Sequence, residues 1–84
     1  MGRYTGLIGE ALSLYARDHG APGAVSARDL IRRYNPQMNA QGIGQVLKYQ
    51  KNEINAVLRK DRIKVVFYGW NSRRRANVIE LAPI

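Results

Sequence analysis

The chain has 84 residues, 45% of them apolar, with 14 Lys and Arg against 6 Asp and Glu, a net charge of +8 and a pI of about 10.5. It contains no cysteine and one histidine, His19, which excludes disulfides, thiolate metal sites and a zinc site built from His19 alone. No segment approaches the ~20 apolar residues that span a bilayer, and no leader-like apolar run is visible, so a soluble, cytoplasmic protein without membrane contact is expected.

A chain of this size makes one small domain, residues 1–84, burying about 60% of the surface its unfolded form exposes. Its charge is lopsided. Residues 1–41 carry five basic and three acidic side chains, and residues 42–84 carry nine and three. A basic excess gathered in one half points to a polyanionic partner, and nucleic acid is the commonest.

The first segment, "RYTGLIGEALSLYARDHG", carries Tyr4, Leu7, Ile8, Ala11, Leu12, Leu14 and Tyr15, whose spacings of three and four predict an amphipathic helix. Thr5 is its candidate N-cap, Gly20 its stop, and His19 suits the negative end of the helix dipole. Leu7, Leu12 and Leu14 leave the main stripe, which makes this helix a candidate dimer surface. "APGAV" reads as a turn with a short extended piece at Ala24–Val25. Ser26 with Asp29 resembles a capping box opening a helix Ser26–Tyr34, whose buried face is Leu30, Ile31 and Tyr34. Arg28, Arg32 and Arg33 lie outside that face. Pro36 disfavours helical geometry at Asn35, and Asn39 is placed to cap the next helix.

That third helix is predicted to run unbroken from Ala40 to about Arg59, with a break near Asn52 as the alternative. At ~100° per residue, Ile43, Val46, Leu47, Ile54, Val57 and Leu58 stay within about a third of the circumference. The opposite face carries Gln41, Gln45, Lys48, Asn52, Asn55 and Arg59, flanked by Tyr49, and Glu53 is its one acidic residue. A solvated helix surface would be richer in Glu and Lys. Amides, which donate and accept, suit base edges: Gln pairs with adenine and Lys with guanine in the major groove. Gly42 and Gly44 each cost about 1 kcal/mol relative to alanine in a helix, so close approach to another surface or tight packing within the domain is expected there.

"IKVVFYGW" then changes to strand periodicity, with Ile63, Val65 and Phe67 on one face and Lys64, Val66 and Tyr68 on the other. "NSRRR" supplies a turn and three arginines, and "ANVIEL" the return strand, ended by Pro83. No catalytic constellation is present. The six carboxylates are scattered, and "GIG" lies inside a helical pattern rather than between a strand and a helix, so no enzyme activity and no cofactor are expected.

Three helices followed by a β-hairpin with a basic tip resembles a winged helix-turn-helix domain over about residues 4–82, an α+β fold. The small size, the missing cysteine and the arginine-rich hairpin are similar to DNA-binding proteins of archaea, their plasmids or viruses. The resemblance implies a sequence-specific regulator of transcription bound to double-stranded DNA, with homodimers common. Ser26–Tyr34 would support a recognition helix, Ala40–Arg59, in the major groove, and Arg62–Leu81 would form the wing. The DNA-binding residues it implies here are Gln41, Gln45, Lys48, Tyr49, Asn52, Arg73, Arg74 and Arg75, with no small-molecule ligand. A protein-docking module, a replication or partition factor, and an RNA binder are the alternatives.

Overall fold

The computed structural model describes residues 3–34 and 37–84. The predicted break at Asn35–Pro36 lies outside these residues. The order is α1 (Arg3–His19), β1 (Gly23–Ser26), α2 (Ala27–Tyr34), α3 (Ala40–Tyr49), α4 (Lys51–Leu58), a 3-10 turn (Arg59–Asp61), β2 (Ile63–Asn71) and β3 (Ala76–Pro83). The fold is α+β, with four helices among the described residues and one antiparallel sheet in the order β1-β3-β2.

Several local signals act as their chemistry dictates. Gly20 takes φ +82° and donates its N–H to Ala16 O at 2.7 Å, ending α1 in the left-handed conformation that glycine adopts freely. Ser26 closes β1 and caps α2, its Oγ accepting from Asp29 N–H at 3.0 Å. The reciprocal half of the box is replaced by an exposed Asp29–Arg32 pair at 4.0 Å. Asn39 Oδ1 accepts from Gly42 N–H at 2.7 Å, capping α3. Thr5, in contrast, is not the cap of α1: the helix starts at Arg3 and Thr5 is buried inside it. Tyr4 also leaves the core and is half-exposed.

The predicted long third helix is two helices. Gln50, at φ −130° and ψ 32°, interrupts it: its N–H closes α3 on Val46 O, and its carbonyl accepts from Ile54 N–H to start α4. The apolar phase passes through the break because no residue is inserted, so Ile43 and Leu47 of α3 and Ile54 and Leu58 of α4 are all buried. No glycine or proline marks Gln50, and the break falls two residues before the alternative position expected near Asn52.

The hairpin holds a second departure. Val65 pairs with Leu81 and Phe67 with Glu80, leaving Val66 as an extra residue in a β-bulge. A bulge reverses the alternation beyond it. Tyr68, opposite Ile79, therefore turns to the core, and Phe67, expected beside Ile63 and Val65, is 44% exposed. Next to the bulge, Asn55 Oδ1 accepts from Val65 N–H at 2.8 Å, so Asn55 covers a sheet edge instead of joining the outer polar face of its helix.

Helices and sheet enclose one core, built from Ile8, Leu12, Leu30, Ile43, Leu47, Ile54 and Leu58 against Val25, Ile63, Val65, Ile79 and Leu81. Tyr15 donates to Ala24 O at 3.0 Å, and Tyr34 to Asp18 at 2.6 Å, a bond that raises the Tyr34 phenol above its ordinary value. Arg33 donates to His19 Nε2 at 3.0 Å; since arginine cannot accept, Nε2 is the acceptor and Nδ1–H is left for Tyr15 O at 3.2 Å.

α4 docks on α1 through a notch. A Cβ at Gly9 would stand 2.6 Å from Val57 Cγ1, so the helices approach only because that Cβ is missing. Glu10–Lys60 at 2.7 Å and Arg17–Asp61 at 3.3 Å flank the same junction. The buried Ser13 hydroxyl and the buried Asp61 Oδ2 interact there without full hydrogen-bond geometry. Ser13, followed by Arg17 and Lys60, holds the Asp61 carboxyl below its ordinary value against the opposing effect of burial.

Two outcomes follow from this junction. Gly9→Ala gains about 1 kcal/mol of helix propensity but overpacks Val57 at a cost of about 1–3 kcal/mol. The variant should be no more stable than the parent and up to ~2 kcal/mol less, whereas in a Val57→Ala background the same change should stabilise. Urea titrations of the four proteins measure this coupling. For Asp61, a folded carboxyl below its unfolded value stabilises above the unfolded value, and the contribution is lost as pH falls through the folded one. Asp61→Asn should therefore lower the thermal midpoint at pH 7 and converge on the parent in acid, below the folded value.

Candidate nucleic-acid interface

α3 is ten residues long and buries one side, Ile43 and Leu47. The other side presents Gln41, Gln45, Lys48 and Tyr49, all exposed, with Tyr49 at 71%. Among the described residues nothing hydrogen-bonds the Gln41 or Gln45 amides, and Lys48 Nζ lies 5.4 Å from the Tyr49 ring centroid. This surface is made of donors and acceptors with no intramolecular employment. Along its flank runs a groove of about 600 Å³ against β2, which adds Lys51, Tyr68 and Gly69 to the α3 residues.

Both glycines of α3 are explained from within the domain. A Cβ at Gly44 would stand 2.7 Å from the Tyr68 hydroxyl, and one at Gly42 would stand 2.9 Å from Met38 Cε and 3.2 Å from the capping Asn39 Oδ1. Gly44 lets α3 lie against β2, and the burial this brings raises the Tyr68 phenol above its ordinary value. Gly42 makes room for the cap.

Asn52 is exposed but sits on α4, beyond the break at Gln50, and is not among the residues of the groove. The structure thus groups four of the five helical site residues on one face and separates the fifth.

The hairpin turn spans Ser72–Arg75, and its three arginines are exposed. They are not equivalent. Asn71 Oδ1 accepts from Arg74 N–H at 3.0 Å, and the Arg74 guanidinium reaches back to donate to Ala24 O of β1 at 3.1 Å. Arg74 braces the hairpin against the far strand. Arg73 and Arg75 make no ion pair or side-chain hydrogen bond among the described residues. Arg75 has φ +51°, a conformation that costs an ordinary residue roughly 1–2 kcal/mol and glycine nothing.

Beside the turn, Arg28 and Arg32 of α2, Trp70 of β2, Arg75 and the first residue of α3, Ala40, line a cleft of about 450 Å³. Trp70 is 62% exposed there. Sequence reasoning left Arg28 and Arg32 unassigned, although their i, i+4 spacing already puts them on one side of α2. Four arginines and one carboxylate, Asp29, line this cleft. Among the described residues no three His, Asp or Glu side chains gather as metal ligands, and no helix is long and apolar enough to cross a membrane.

No protein-family model, curated protein or solved structure matches the chain.

Proposed function

We propose that the chain is a winged helix-turn-helix protein that binds double-stranded DNA and regulates transcription, without enzymatic activity. The observation that carries this reading is the face of α3, where Gln41, Gln45 and Lys48 project with the two amides unengaged, next to an arginine-rich hairpin. The element order and the β1-β3-β2 sheet support the winged-helix assignment, with α4 as an insertion between the recognition helix and the wing. A helix of ten residues is about 15 Å long, enough to lay its exposed amides into a B-DNA major groove, whereas the major groove of A-form RNA is too deep and narrow to be read.

In this reading Gln41 and Gln45 pair with adenines, Lys48 donates to guanine, and Tyr49 packs at the groove wall. Asn52 contacts the backbone at most, because it sits on α4, beyond the break at Gln50 and outside the α3 groove. Arg73 and Arg75 meet the phosphates or the adjoining minor groove, and Arg74 holds the wing in place. One short helix reads few base pairs, so a two-fold homodimer that doubles the site is part of the proposal. Leu14 of α1, 38% exposed, lies on the helix proposed for that contact.

The test is selection of duplexes from a random library, followed by binding of Gln45→Ala and Lys48→Ala to the selected site. Each should fold as the parent and lose ~1–3 kcal/mol on that site, with little loss on unrelated duplexes. If both variants bind the selected site as tightly as the parent, α3 does not read the major groove.

A further inference from the structure

β2 pairs only with β3, so its other edge is open, and that edge runs along the groove beside α3. We infer that the stretch from Phe67 to Asn71 is a docking site for an extended acidic segment of a partner protein, added as a further strand next to β2. The site is independent of the duplex reading, except that both occupants would use one groove.

The register shows which backbone groups are free. Ala24 O accepts from the Tyr15 hydroxyl at 3.0 Å and from the Arg74 guanidinium at 3.1 Å, so it points away from β3. In an antiparallel ladder, successive residues point their backbone groups alternately to one side of the strand and the other. Ala24 and Glu80 are therefore a pair without hydrogen bonds between them; Glu80 turns its N–H and C=O to β2, and Ile79 turns its own to β1. Tyr68 lies opposite Ile79 and Trp70 opposite Asn77, so both direct their N–H and C=O away from β3. Val65, whose N–H is bonded from outside by Asn55, has the same phase on the near side of the bulge. Asn55 blunts the edge at Val65. Among the described residues no group bonds the outward N–H and C=O of Tyr68 or Trp70. An open edge of this kind is a template for another strand.

The two walls select the partner. On the α3 side the groove presents Gln45, Lys48 and Lys51 and no carboxylate. On the outer face Phe67, 44% exposed, lies over Gly69, its Cζ 2.7 Å from the place of a Cβ there, which makes an apolar floor just inside the edge. Side chains of an added strand alternate between these faces. A segment alternating acidic and apolar residues meets the lysines with one set and Phe67 with the other. A second copy of the chain, at net charge +8, would bring its own lysines against the first pair, so charge favours an acidic partner over self-pairing. Gln45 and Lys48 also carry the proposed base contacts, so a docked strand would exclude the duplex and act as an antagonist of DNA binding.

The probe is a short capped peptide of alternating glutamate and valine, with a lysine–valine peptide as control, titrated into the full chain without DNA. Before peptide is added, the Tyr68 and Trp70 amides should exchange with solvent readily, and the Gly69 amide, bonded to β3, slowly. The glutamate peptide should protect Tyr68 and Trp70; the lysine peptide should not. N-methylating the peptide amides on one alternation should weaken binding about tenfold or more, and on the other should leave it unchanged, because one set faces β2. Lys51→Glu, in the first turn of α4 where a carboxylate suits the helix dipole, should fold as the parent and bind the glutamate peptide more weakly. In a separate titration the glutamate peptide should displace the selected duplex. Equal loss from both N-methylated series, binding that leaves Tyr68 and Trp70 unprotected, or no binding overturns the docking site, and leaves the reading of α3 standing because no DNA is present in these titrations. Protection of the two amides that grows with protein concentration alone overturns it in favour of a second copy on the edge. Peptide and duplex held together on one chain would overturn the shared groove.

Discussion

Val57 of α4 occupies the space that Gly9 leaves open on α1, with only 2.6 Å between its Cγ1 and the place a Cβ would take. Close packing at this point fixes α4 against the long N-terminal helix, and Glu10–Lys60 and Arg17–Asp61 hold its end. Exposed pairs of this kind add little energy, but they set the direction in which the chain leaves α4 for the sheet. From there Asn55 anchors the start of β2 by covering Val65 N–H. In the other direction α3, before the break at Gln50, lies against Tyr68 of β2. The amide face of α3 stays exposed on the side away from the core.

The exposed chemistry is arranged around that result. The helix that carries unengaged amides starts beside the hairpin turn, and α2 brings Arg28 and Arg32 to the same place. The wing is not a loose basic loop. Arg74 pins it to β1 across β3, so Arg73, Arg75 and Trp70 are displayed from a braced support. Such bracing would lower the ordering cost of this charged surface on meeting the rigid polyanion proposed for it. In the proposed reading, base-reading and charge-neutralising groups fall on different elements, which would separate the sequence-dependent part of binding from the salt-dependent part.

Much of this was legible in the sequence because it depends on local chemistry. Gly20, Ser26 and Asn39 act at the ends where their side chains or their lack of one demand it. The alternation from Ile63 and the turn residues before Ala76 mark the hairpin. The departures came where the deciding partner is distant in sequence. Gln50 breaks a helix without a breaker residue. Val66 bulges because the register with β3, not the alternation of β2, places Tyr68 inside. Thr5 looks like a cap, yet α1 starts before it, at Arg3, and Thr5 is buried. In the candidate site, the α3 face was readable from helical phase alone. The commitment of Arg74 to Ala24, fifty residues away, and the meeting of Trp70 with α2 required the fold.

The central claim is that the α3 face and the adjoining hairpin form one continuous surface for duplex DNA. Mapping backbone and indole N–H shifts of isotopically labelled protein against a duplex by NMR tests it most directly. The account places the largest changes at Gln41, Gln45, Lys48, the Trp70 indole and Arg75, with Val66, Phe67 and Glu80 on the outer sheet face unmoved. Changes centred on that outer face, or no changes at saturating duplex, would contradict it.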